Sequence, residues 1–110
     1  MNANIDLEEN KCLRKLTGHK NHVSTLVIQS ENYLCSGSWD DSIKIWEINS
    51  GECLKTLKGH TGYVNSLAIS SGGFLCSGSE DKSIKIWNKN SGECLTTLKG
   101  HTGAVSTLVI

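Results

Sequence analysis

The chain has 110 residues, which leaves room for a single domain. Its 11 Lys and Arg balance 11 Asp and Glu, so no net field draws in nucleic acid or an anionic membrane. Apolar residues never run near the roughly 20 positions that a membrane-spanning helix needs.

Residues 1–10, MNANIDLEEN, are polar and without periodicity, and are expected to form a disordered or loosely attached leader. They lack a basic stretch followed by an apolar one, so no secretory signal is read and an intracellular chain, cytoplasmic or nuclear, is expected. From Lys11 onward, short β-type segments recur between clusters of Gly, Ser, Asn and Asp. The predicted strands are Cys12–Leu16, Val23–Ile28, Tyr33–Ser38, Ser42–Glu47 and Glu52–Leu57. They continue with Val64–Ser70, Phe74–Ser79, Ser83–Asn88, Glu93–Leu98 and Ala104–Ile110. Ile43 and Ile45 alternate with Lys44 and Trp46 at a period of two, while no segment keeps a 3.6-residue period long enough for a helix. With no proline, every strand keeps its backbone donors.

The same elements occur twice. Residues 36–46 read SGSWDDSIKIW and residues 77–87 read SGSEDKSIKIW, an offset of 41. Between residues 18–58 and 59–99, about 26 of 41 positions are identical, and residues 100–110 begin a third unit. Self-similarity at such a period marks a repeat architecture. Four short strands per unit cannot bury both faces of their own sheet, so each unit must stack on a neighbour. All five cysteines follow the repeat: Cys12, Cys53 and Cys94 at one position, Cys35 and Cys76 at another. None forms a C-x-x-C pair, so reduced thiols at small, half-buried strand positions are expected, with no disulfide or metal site.

Gly-His, then about 17 residues, then Ser-Gly-Ser-x-Asp-x-Ser-Ile-Lys-Ile-Trp resembles the WD-repeat β-propellers. The resemblance covers residues 11–110. It departs in two places: Glu47 and Asn88 replace the family's Asp after Trp, and Gln29–Asn32 and Ser70–Gly73 replace its Pro-Asp-Gly turn. The resemblance implies an all-β fold, a partial β-propeller of two four-stranded antiparallel blades with one extra strand at each end. It also implies a hydrogen-bonded tetrad in each blade: His19, Ser36, Asp40 and Trp46, then His60, Ser77, Asp81 and Trp87. Ser38 and Ser79 are alternatives for the serine role.

A His–Ser–Asp set suggests acyl transfer, but a catalytic triad occurs once per active site, whereas this set recurs at the structural period and includes Trp. A structural role is therefore expected, with no enzyme activity and no cofactor. His22 lies three residues after His19, but two histidines do not complete a metal site.

Function is expected where the repeat breaks. By resemblance, the loops of one rim carry His22, Ser24 and Trp39, then Tyr63, Asn65 and Glu80, then Ala104 and Ser106. Large aromatic side chains there suit a protein or peptide partner. Arg14 is the only arginine, which disfavours phosphopeptide binding. The expected function is a non-catalytic scaffold or adaptor in a multi-protein complex. The alternative is a short chain that self-assembles into a closed ring with a ligand or catalytic site in its channel. The chain is read as the N-terminal part of a longer propeller; complete as it stands, it is expected to self-associate.

Overall fold

The structure, a computed structural model, describes residues 12–108; the expected leader over residues 1–10 lies outside the described residues. Eight strands form two sheets. The first holds β1 (Val23–Ser30), β2 (Tyr33–Ser38), β3 (Ile43–Glu47) and β4 (Cys53–Leu57). The second holds β5 (Val64–Ile69), β6 (Leu75–Ser79), β7 (Ser83–Trp87) and β8 (Cys94–Lys99). Each is an antiparallel meander in chain order, one blade per repeat.

Local chemistry sets the turns. Between β2 and β3 the Ser38 hydroxyl accepts the Asp40 amide at 3.0 Å, and Asp40 Oδ1 accepts the Ser42 amide at 2.9 Å. These bonds hold Asp41 at φ 73°, a left-handed conformation that few residues other than glycine adopt, and Lys82 repeats it at φ 73°. Two bulges recur as well. Ser24 lies between the β1 partners Val23 and Thr25 without a partner of its own, and Asn65 does the same in β5. Leu54 and Leu95 are the extra residues of β4 and β8, and both are turned outward. A bulge re-aims the side chain it frees.

The core lies between the blades. Cys35, Ile43, Ile45 and Leu57 of the first sheet meet Val64, Leu67, Leu75 and Trp87 of the second. β5 packs over β1 and β2, and this approach requires the absence of a side chain at Gly37. A Cβ on Gly37 would lie 2.6 Å from Val64 Cγ1 and 2.7 Å from Thr25 Cγ2. Gly78 repeats the arrangement, with Val105 Cγ1 2.7 Å from the same construction.

The two end segments correct the expectation of an extra strand at each end. Neither residues 12–16 nor 104–108 pair as strands, because the described residues hold no third sheet for them to join. Each still lies where its repeat position puts it. Leu16 Cδ2 is 3.5 Å from a Cβ built at Gly51, as Leu57 Cδ2 is 3.2 Å from one built at Gly92. Val105 is buried, and its amide donates to the Ser79 carbonyl at 2.8 Å.

The cysteines also need correction. All five are free, but Cys12, Cys53 and Cys94 are exposed rather than half-buried, since they lie outermost in each unit with no further strand beside them. Cys35 is buried between the blades, and burial pushes its thiol up to about 11. No helix among the described residues is long and apolar enough to cross a membrane.

The blade contact yields a direct test. Gly37→Ala is expected to lower unfolding stability by about 1–3 kcal/mol, the usual cost of overpacking. Gly103→Ala is the control, since nothing lies within 4 Å of a Cβ there. Equal denaturation midpoints for the two variants would show that Gly37 does not limit the approach.

Candidate functional site

Each blade carries a chain of polar side chains drawn from four elements. In the first, His19 comes from the loop before β1, Ser36 from β2, Asp40 from the β2–β3 turn and Trp46 from β3. His19 Nδ1 is 2.9 Å from Asp40 Oδ2, and its Nε2 is 2.7 Å from Ser36 Oγ. The Trp46 indole N–H donates to the same Ser36 oxygen at 2.8 Å. In the second blade, the corresponding distances among His60, Asp81, Ser77 and Trp87 are 2.7, 2.7 and 2.8 Å. The register places Ser36 and Ser77 between ring and indole. Ser38 and Ser79 instead accept the amides of Asp40 and Asp81.

The proton inventory gives this chain one direction. The carboxylate can only accept, so the imidazole donates through Nδ1. Nε2 is then left as an acceptor and takes the serine hydroxyl proton, while the serine oxygen takes the indole N–H. Burial alone would raise the Asp40 carboxyl, but the Ser42 hydroxyl, the Lys20 amide, the His19 ring and the Ser42 amide outweigh it. The group is held well below the usual carboxylate range. Asp81 behaves likewise through Ser83, His60 and Thr61. For His60, burial is the largest influence and lowers its pKa below 6.5, with Asp81 opposing. Burial therefore favours the neutral ring, which its accepting role requires.

Sequence reasoning missed Ser42 and Ser83. Each donates its hydroxyl to the tetrad carboxylate, at 2.5 and 2.6 Å, and stands within 3.5 Å of the imidazole. Their identity at the repeat offset was the available signal. Chemically, the set fastens the entry loop and the β2–β3 turn to the sheet. Ser36 and Ser77 are buried, and an indole N–H is directed at the oxygen that would have to attack. His22 joins no such set; among the described residues, no three His, Cys, Asp or Glu side chains converge as metal ligands.

The residues expected on the rim divide into two groups. Trp39 stacks on Tyr63 of the next blade, ring centroids 4.7 Å apart and planes 9° from parallel, and His22 meets Trp39 edge-on at 4.8 Å. Matching backbone bonds of 2.9 Å, Trp39 amide to His22 carbonyl and Glu80 amide to Tyr63 carbonyl, fix these loops. Trp39 remains 38% exposed and Tyr63 41% exposed, so the stack bridges two blades and still presents surface. At the next gap, Glu80 and Ala104 take the positions of Trp39 and Tyr63.

Ser24 and Asn65, the bulge residues, reach the adjoining unit while keeping bonds within their own. The Ser24 hydroxyl donates to the Val64 carbonyl, and Asn65 Nδ2 reaches the Val105 carbonyl at 3.4 Å and Glu80 Oε2 at 2.7 Å. Period-two reading cannot see a bulge, so this use of the two side chains was not anticipated. Ala104 and Ser106 are exposed. Arg14 donates to the Ser50 carbonyl at 3.3 Å.

Comparison with known proteins agrees with this fold. The family model described as WD domain, G-beta repeat, matches residues 10–47 and 51–88. The small ribosomal subunit protein RACK1 of Caenorhabditis elegans is 45% identical over 40 residues, covering 36% of this chain and 12% of that protein. Cross-pathway control WD-repeat protein 2 of Flammulina velutipes is 44% identical over 39 residues, covering 34% and 12%. Among solved structures, U3-55K superposes with a TM-score of 0.78 at 35% identity, over 83% of this chain and 30% of that one. The matched stretch thus spans 12% of these curated relatives' length.

Two outcomes are expected of the tetrads. Trp87→Phe and His60→Ala should each cost about 1–3 kcal/mol of unfolding stability, because buried partners lose their hydrogen bonds. A denaturation midpoint equal to the parent's would show that the set in that blade contributes nothing. The second outcome concerns pH. With the folded pKa of His60 below 6.5, its contribution is full above that value and is lost as pH falls through the folded pKa. NMR titration should place the His60 midpoint below 6.5; a midpoint above it would show that Asp81 outweighs burial.

Proposed function

Because the chain belongs to the WD-repeat family, we propose that it is a non-catalytic interaction scaffold that presents its rim loops to a partner protein. The observation that carries this reading is the Trp39–Tyr63 stack, half-exposed across the blade gap and held by backbone bonds on both sides. Rigid aromatic side chains supply large contact area at little entropic cost, which is why Trp and Tyr dominate interface hot spots.

On the rim the two repeats differ at His22 and Tyr63 and at Trp39 and Glu80, so discrimination between partners falls to these four side chains. Ser24 and Asn65 support the rim by tying it to the adjoining unit. An aromatic platform followed along the rim by a carboxylate suits an extended peptide with an apolar anchor and a basic residue beyond it. The relatives named as small ribosomal subunit proteins support assembly in multi-protein complexes. Five free cysteines, three of them exposed, support a reducing compartment inside the cell.

The test is selection of a displayed random-peptide library against the purified chain. Enriched peptides should combine an aromatic or aliphatic anchor with Lys or Arg. Trp39→Ala should weaken their binding by roughly 2 kcal/mol or more, and Lys85→Ala, away from the rim on β7, should leave it unchanged. No enrichment, or equal binding by both variants, would remove the rim as the partner surface.

A further inference from the structure

The joint between the two blades opens into a recess at the end of the sheets away from the rim. Tyr33 opens β2 and Trp39 follows its last residue, so at the rise of a strand the two ends lie about 20 Å apart. The recess measures about 300 Å³, and both its walls belong to complete repeats: Gln29, Tyr33 and Lys55 of the first, Lys89 and Asn90 of the second. Its floor is Ile45, 4% exposed, and its lip is Leu54, which the β4 bulge turns outward. The Lys55 stem crosses the joint, with Cδ 3.5 Å from a Cβ built at Gly92. Lys89 Nζ stands 3.7 Å from a Cβ built at Gly73, and its charge is felt by the Cys35 thiol, which donates to Gln29 Oε1 at 3.8 Å. Both lysines are half-buried, yet neither ammonium meets a carboxylate or another acceptor among the described residues, and no acidic residue lines the recess. Lys44 and Lys85, by contrast, donate to Thr56 and Thr97 at 2.9 Å. The repeat does not generate this set. Where the recess has Gln29, Tyr33, Lys55 and Lys89, the matching positions hold Ser70, Phe74, Thr96 and Ile48.

We propose that this recess is a second docking site, independent of the rim, for an acidic segment of a partner protein. A carboxylate sits between Lys55 and Lys89, and an apolar side chain two residues along the extended segment rests on Leu54 and Ile45. Side chains two apart share one face of an extended chain, so a single strand presents both groups. Two ammonium groups on facing walls with no resident anion make a positive site, and a half-buried charge gains from a partner of opposite sign. The Tyr33 hydroxyl and the Gln29 and Asn90 amides add neutral donors, whereas a carboxylate only accepts. The volume, at the small end of the range for ligand sites, suits one or two side chains. With the rim at the other end of the sheets, both sites can be filled at once, and one chain can hold two partners together.

NMR titration of the full chain at low salt tests this, with the peptide Ser-Glu-Ser-Leu-Ser-Glu-Ser and a twin carrying Gln in place of Glu. The acidic peptide should shift the amides of Tyr33, Lys55, Lys89 and Asn90 and leave the Trp39 indole unmoved. The twin should bind about tenfold more weakly, as loss of charge-assisted bonds implies. Lys55→Gln and Lys89→Gln should each weaken the acidic peptide about fivefold. Lys44→Gln and Trp39→Ala should leave its binding unchanged, so that failure here and failure at the rim are told apart. Replacing both recess lysines by Glu should transfer the preference to a peptide with Lys in place of Glu, which a misfolded chain does not do. Equal affinity for the two peptides, shifts centred on other residues, or an equal loss in Lys44→Gln would overturn the proposal. Complete displacement by inorganic phosphate at the peptide's own concentration would show a bare-anion site and would overturn it equally.

Discussion

The stacking of one sheet on the next depends on the approach of Val64 to Gly37. Dispersion and burial between the blades need close contact over the whole face, and a single methyl group at Gly37 would meet Val64 at 2.6 Å. Neither Gly37 nor its counterpart Gly78 has a positive φ, so backbone freedom is not what the position demands. Space is. From that contact follow the burial of Leu67 and Leu57, the position of β5 over β1 and β2, and the stack of Tyr63 on Trp39 at the rim.

The polar chain in each blade acts within one repeat unit rather than between units. It ties a loop, a turn and two strands of one sheet together, and its direction from indole to carboxylate leaves each donor with an acceptor. Charge on the imidazole would remove the acceptor at Nε2 and leave the Ser77 hydroxyl only the longer bond to the Lys85 carbonyl, at 3.5 Å. Burial favours the neutral His60 ring against the opposing pull of Asp81, while the hydrogen bonds on Asp81 keep that carboxylate an acceptor. The bulges tie units together: Ser24 and Asn65 leave their own ladders and bond to the backbone of the unit that follows.

Much of the fold was legible because the repeat doubled every signal. Strand positions came from alternation and turn residues, and the polar sets came from the resemblance to WD-repeat propellers, whose His, Ser, Asp and Trp positions recur in both repeats. What was not legible depends on neighbours. A strand pattern cannot show that Cys53 and Cys94 lie at an edge with one open side, or that residues 12–16 have no sheet to pair with. The bulge at Ser24 shifts the register by one residue, and only the partner strand reveals it. The rim stack joins residues from two units, and no property of either unit alone required their contact.

The two faces of a blade are chemically unlike, one carrying the indole and imidazole, the other Ile43, Ile45 and Gly37. A stack of such units has an arrow, like bricks with a stud side and a socket side. Genetic duplication of one 41-residue unit then yields a part that fits at once on its parent, in one orientation, with no new surface to invent. Drift has since reached strands and loops alike, and on the rim it has replaced His22 by Tyr63 and Trp39 by Glu80 at the same repeat positions.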